Sequence, residues 1–76
     1  MNPELNILAA LAPCHPRGLR EPVLHSELRV RGTPESLSDL RRHCDALETK
    51  GHVIITRTED FTLIKISAEG LARIAE

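Results

Sequence analysis

Aromatic residues are almost missing from this chain, which has one phenylalanine, Phe61, and neither tryptophan nor tyrosine. A core built from this composition must therefore consist of leucine, isoleucine, valine and alanine. Proteins that grip single-stranded nucleic acids usually stack the bases on aromatic side chains, so this composition argues against an RNA or single-strand binder. The 76 residues suffice for a modest core, and we expect a single domain over residues 1–76.

The chain also has few cysteines, a small net charge and no long apolar run. Two cysteines are too few for a disulfide framework, and we find neither a signal-peptide pattern nor a run of membrane-spanning length. We therefore expect a cytoplasmic protein without membrane contact. The net charge of −1 provides no strong field that would attract nucleic acid.

The sequence contains no pattern typical of catalysis. Its four glycines are dispersed and form no phosphate-binding loop, and its four histidines show no spacing of nucleophile and base. We therefore expect no enzyme and no cofactor. Two adjacent pairs, Cys14–His15 and His43–Cys44, are potential zinc ligands. Structural zinc sites usually separate paired ligands by roughly two to four residues, so a zinc site is the weakest hypothesis and no metal is expected.

The segment 33–51 has the strongest helical pattern in the chain. Thr33 can cap the free amides, Pro34 suits the first helical position, and Lys50 precedes a glycine that can end the helix. We therefore predict a helix over residues 34–50. Its apolar residues fall in a stripe roughly 80° wide and are Leu37, Leu40, Cys44 and Leu47. The opposite, polar side consists of Ser38, Asp39, Arg42, Asp45 and Thr49.

Two shorter helices are predicted before this segment. Asn2 and Pro3 begin a helical pattern over about residues 3–12. Pro22 suits the first turn of a helix that ends near Val30, although residues 19–23 leave a short extended segment open as well. A short helix, a turn with glycine and a longer helix are typical of a helix-turn-helix motif.

Beyond residue 51 the apolar period changes from that of a helix to that of a strand. Residues 52–57 and 62–66 are rich in β-branched side chains and are joined by a polar tip of hairpin length. A last helix follows over 68–76. The order helix, helix, helix, strand, strand, helix predicts an α+β fold in which the hairpin forms a wing.

Two segments are similar to a known family. The run 42–53, RHCDALETKGHV, resembles the end of the reading helix and the start of the wing in MarR-type and related winged-helix regulators. The run 64–70, IKISAEG, resembles the second wing strand and the following helix start. The similarity covers residues 22–76. It implies a winged helix-turn-helix with three helices, a two-stranded wing and a short C-terminal helix, as in bacterial or phage transcriptional regulators.

The resemblance implies that the chain binds double-stranded DNA by inserting helix 34–50 into the major groove. Arginine paired with guanine is the commonest specific contact there, and cations on a hairpin can hold phosphates while the helix reads bases. Lys65 is a candidate from its position on the predicted hairpin. The family pattern places Arg57 near the wing, and on the groove-facing side of the helix it places Ser38, Asp39, Arg41 and Arg42.

The arginines and lysine also have plainer explanations. Asp39 and Asp45 flank Arg42 at three residues, and Asp45 lies four residues from Arg41, so both arginines can form intrahelical ion pairs worth about 0.2–0.5 kcal/mol each. Cations on a strand edge can simply discourage aggregation between edges.

The alternative function is a winged-helix protein–protein interaction module that does not bind DNA. The near-neutral charge and the acidic hairpin tip, Glu59 and Asp60, favour this alternative. For the DNA-binding hypothesis, one module buries little DNA surface, so a homodimer on two adjacent half-sites belongs to the prediction.

Overall fold

A computed structural model describes residues 2–75 as an α+β fold with four helices and one three-stranded sheet. The sheet is antiparallel, with strand order β1–β3–β2. The predicted α+β class is confirmed, and Glu76, the predicted end of the last helix, lies outside the described residues. The elements in chain order are α1 (Pro3–Leu11), a short 3-10 helix (Ala12–Cys14), β1 (Leu19–Arg20), α2 (Glu21–Val30), α3 (Leu37–Thr49), β2 (Val53–Arg57), β3 (Thr62–Ile66) and α4 (Ala68–Ala75).

The core is aliphatic, as the composition predicts. Phe61 lies outside it, at the end of the hairpin, where the guanidinium carbon of Arg20 is 4.6 Å from the centre of its ring. The largest fully buried side chains come from the first three helices and β3, and they are Ile7, Leu8, Leu11, Leu24, Leu28, Leu40, Leu47 and Ile64.

The start of α3 differs from the prediction. The helix begins at Leu37 with Ser36 as its N-cap, so the predicted cap at Thr33 and first turn at Pro34 are wrong. Thr33 instead closes α2, because its backbone N–H and its hydroxyl both donate to the carbonyl of Leu28, at 2.9 and 3.2 Å. The Ser36 hydroxyl is then the first acceptor available to α3, and the N–H of Asp39 donates to it at 3.1 Å.

The apolar stripe of α3 is confirmed at three of its four positions. Leu40, Cys44 and Leu47 are buried against the core, whereas Leu37, in the first turn, is 38% exposed. The predicted end of the helix is also confirmed, because Lys50 is the C-cap and Gly51 follows with a φ of 79°. Glycine adopts such a left-handed conformation without steric cost.

The predicted hairpin is present, but it belongs to a larger sheet. β2 and β3 pair from Val53 with Ile66 to Arg57 with Thr62. β1 pairs with the other side of β3 and forms a third strand. The extended segment that the sequence left open within residues 19–23 is therefore present, and the sheet has three strands where two were predicted. β2 contacts α3, so the hairpin lies beside that helix.

Ser67 connects α4 to the turn between α3 and β2. Its hydroxyl donates to the carbonyl of Gly51 at 2.5 Å and accepts from the N–H of Gly70 at 3.1 Å. Its backbone N–H donates to the carbonyl of His52 at 3.0 Å. These bonds fix where the hairpin leaves α3 and where α4 begins.

Candidate nucleic-acid interface

The side of α3 that faces away from the core is polar and solvent-accessible. Ser38, Arg41 and Arg42 are exposed, and Asp39 is partly exposed. This arrangement follows from the buried stripe, since Leu40 and the residues one turn beyond it hold the opposite side of the helix inward.

Arg42 forms the intrahelical ion pair that its spacing predicts. Its Nη2 donates to Asp39 Oδ1 at 2.9 Å, and the arginine side chain remains 72% exposed. An exposed pair of this kind contributes little to stability and is weakened further by salt. The guanidinium of Arg42 is therefore accessible to a stronger acceptor.

Arg41 has a different partner from the one that its spacing suggests. Its guanidinium pairs with Glu21, in the first turn of α2, and not with Asp45. Nη2 donates to Oε1 at 2.9 Å, and Nε donates to both carboxylate oxygens at 3.2 Å. These hydrogen bonds and the charge of Glu21 raise the pKa of Arg41. The Glu21 side chain is only 14% exposed, so the acceptor is held firmly while Arg41 itself reaches into solvent.

Arg57 brings the hairpin to the same region. Its Nη2 donates to Asp45 Oδ1 on α3 at 3.0 Å, and its Nη1 lies 3.8 Å from Glu48 Oε1. Three guanidinium groups around α3 therefore face four carboxylates, and the surface has no basic excess.

Lys65 does not join Arg57. Successive residues of a strand point to opposite faces of the sheet. Arg57 pairs with Thr62 and shares the face of the buried Ile64, whereas Lys65 pairs with Ile54 and lies on the outer face. The structure thus gathers five of the six predicted residues around α3 and leaves Lys65 on another surface.

A cleft of about 230 Å³ lies between α3 and the sheet, with Arg41 and Arg57 on its lining. Cys44 also borders it, and burial raises the pKa of this thiol to about 12. Cys44 is therefore a protonated, unreactive thiol at neutral pH. The complete lining consists of Glu21, Arg41, Cys44, Asp45, Ile55, Arg57, Thr62 and Ile64.

The histidine of the second candidate zinc pair lies beside a carboxylate and, in the part of the chain that the structure describes, not beside a possible metal ligand set. His43 Nδ1 lies 2.6 Å from Glu35 Oε2, without hydrogen-bond geometry, and the backbone oxygen of Glu35 lies 2.8 Å from His25 Nε2. These contacts hold the segment between α2 and α3 against both helices. Within residues 2–75, no three His, Cys, Asp or Glu side chains are close enough together to bind a metal ion.

The roles of two acidic residues, Glu21 and Glu4, were not predicted from the sequence. Glu21 is separated from Arg41 by 20 residues, and Glu4 in α1 accepts at the same Oε1 from Lys50 at 2.7 Å and from Arg73 at 2.9 Å. Both bonds of Glu4 lower its pKa. No local pattern signals either carboxylate, because its partners are distant in the sequence and meet only in the folded chain.

The chain shows no significant similarity to a protein-family model, a curated protein or a solved structure. Across residues 2–75, each helix is too short or too polar to cross a lipid bilayer.

Proposed function

We propose that the protein is a winged-helix domain that binds double-stranded DNA by inserting α3 into the major groove, as a transcriptional regulator does. The observation that carries this proposal is the exposed side of α3, where Arg41 and Arg42 are accessible and Arg57 of the hairpin lies alongside. A helix of 13 residues is about 20 Å long, and the major groove admits a helix. The order α2, glycine turn, α3 and hairpin is consistent with a helix-turn-helix followed by a wing.

The proposed contacts divide between bases and phosphates. Arg42 and Arg41 have the length and the paired donors to reach guanine O6 and N7, and Asp39 can accept from cytosine N4. Arg57 is placed to hold a phosphate beside the helix, a contact that positions the domain without reading sequence. Lys65 is the weakest member of the set, because it lies on the other face of the sheet.

The balance of charge on this surface sets the expected strength of binding. Each arginine around α3 must leave a carboxylate before it contacts DNA. The electrostatic part of the binding is therefore small for a single domain, and two copies on adjacent half-sites would supply the missing affinity. We include a homodimer in the proposal for this reason.

Binding to duplex DNA at several salt concentrations tests the proposal. We expect mixed-sequence duplex to bind at low ionic strength and log K to fall linearly with log salt, with a slope of about −2 to −4 for two to four phosphates. Arg42→Ala should weaken binding to a preferred duplex by about tenfold, the cost of one good base contact. Arg17→Ala is the matched control, since it removes an exposed arginine outside α3 and the hairpin.

A second candidate function is a protein–protein interaction module. It is favoured by the same lack of basic excess, since a protein partner does not require the positive charge that DNA phosphates require. If duplex DNA shows no salt-sensitive binding at low ionic strength, this function replaces the first.

A further inference from the structure

Glu21 occupies the position on Arg41 that a DNA acceptor would take. Three hydrogen bonds of 2.9 to 3.2 Å join the two side chains, a paired arrangement similar to that of arginine with guanine or with a phosphate. Glu21 is the less mobile partner, because its side chain is 14% exposed and it belongs to the first turn of α2. The positive end of the helix dipole favours its charge there.

A fixed carboxylate beside Arg41 affects the two kinds of DNA acceptor, phosphates and guanine base edges, to different degrees. A phosphate has a full negative charge and is repelled by Glu21 as it approaches Arg41. The O6 and N7 edge of guanine is neutral overall, so it is repelled much less. Arg41 is 60% exposed, so its surroundings are close to water. Two unit charges about 6 Å apart at an effective dielectric constant of about 40–80 repel strongly enough to change affinity by about 3-fold to 10-fold.

Resting on the proposed function, we propose that Glu21 determines specificity by suppressing sequence-independent contacts of Arg41 with phosphates while it permits contacts with base edges. The residue itself does not touch DNA in this role. It holds the Arg41 guanidinium in a paired geometry and releases it only to an acceptor that the carboxylate does not repel.

Asp45 of α3 has the same effect on Arg57 of the hairpin. Its carboxylate holds Arg57 at 3.0 Å, so a phosphate that approaches Arg57 meets a negative charge as well. The pair is more exposed than that of Arg41 and Glu21, since the Asp45 side chain is 62% exposed, and solvent and salt screen it more. Asp45 should therefore have the smaller effect.

The experiment compares Glu21→Gln with the unsubstituted protein on two duplexes, one of mixed sequence and one selected by the unsubstituted protein from a randomised pool. We expect Glu21→Gln to bind both duplexes more tightly, because Arg41 no longer leaves a charged partner when it contacts DNA. The gain on the mixed-sequence duplex should exceed the gain on the selected duplex by about 3-fold to 10-fold, because only the phosphate contact was repelled by Glu21. The salt slope on mixed sequence should steepen by about 0.9, the value for one additional phosphate.

Glu27→Gln is the matched control, because it makes the same substitution on the same helix and also releases an arginine, Arg31, but not one of α3. Asp45→Asn tests the same reasoning at Arg57 and serves if Glu21→Gln fails to fold, which thermal unfolding will reveal. Asp45→Asn should change affinity in the same direction by a smaller factor.

The outcomes separate the inference from the function on which it rests. A larger gain in affinity of Glu21→Gln on mixed sequence than on the selected duplex supports the inference. Equal changes on both duplexes, or a change no larger than that of Glu27→Gln, overturn the inference and leave DNA binding in place. If the unsubstituted protein binds no duplex at low ionic strength, the proposed function fails and the inference fails with it.

Discussion

Replacing Leu40 by alanine should remove a large part of the stability of this domain. Leu40 is fully buried, and the substitution deletes three carbon groups, which corresponds to about 2.4 kcal/mol of transfer free energy at ~0.8 kcal/mol per group. The cavity that remains adds to this loss, and the expected total is about 2–5 kcal/mol. A domain of 76 residues has a free energy of unfolding of about 4–11 kcal/mol, so the loss should be easy to measure.

Leu37→Ala is the matched control, because it makes the same chemical change on the same helix at a residue that is 38% exposed. We expect it to cost about 1 kcal/mol, since part of that side chain already contacts water. Urea unfolding followed by far-UV circular dichroism measures both losses. If Leu37→Ala costs as much as Leu40→Ala, α3 is rotated relative to the structure and its arginines do not face solvent as described.

Two further predictions concern α4 and α1. Gly70→Ala should destabilise the domain by about 1–3 kcal/mol, because the new Cβ would overlap the carbonyl oxygen of His52 and lie 2.8 Å from Ile66 Cγ1. Glu4→Gln should cost about 1–2 kcal/mol at neutral pH, since it weakens two charge-assisted hydrogen bonds. The lowered pKa of Glu4 means that this stabilisation is complete above its unfolded pKa of about 4.3 and is lost as pH falls through the folded pKa.

Thermal unfolding measures the effect of Gly70→Ala, and denaturant unfolding across acidic pH measures the effect of Glu4→Gln. Alanine is usually about 1 kcal/mol better than glycine inside a helix, so a more stable Gly70→Ala protein would contradict the close approach of α4 to His52. The difference between Glu4→Gln and the unsubstituted protein should shrink below about pH 4. A difference that stays constant with pH would mean that the Glu4 carboxylate is not held by its two cations.

The parts of the fold that could be predicted depend on local periodicity. The buried stripe of α3 and the strands 53–57 and 62–66 follow from spacing within a few residues. β1 has two residues and shows no period, so only its pairing with β3 defines it as a strand. The start of α3 has two competing caps, Thr33 and Ser36, and the choice between them depends on which residue ends the preceding helix.

The sequence predicted the arginines of the candidate site, but it did not predict all of the carboxylates that pair with them. The spacing of Arg42 and Asp39 predicts their pair, because both belong to one helix. The partner of Arg41 could not be predicted, because Asp45 lies at a suitable spacing and Glu21 is brought near only when α2 packs beside α3. The alternation of strand residues could have shown that Lys65 faces away from Arg57, once the register of the hairpin was known.

Backbone amide chemical shifts, followed while duplex DNA is added at low salt, show directly whether α3 meets DNA. We expect the largest changes on the exposed side of α3, around Arg41 and Arg42, and on the hairpin around Arg57. The buried residues of α1 and the residues of α4 should change little. Changes concentrated on α1 and α4, or no change at any amide, would contradict the claim that α3 is the surface that meets DNA.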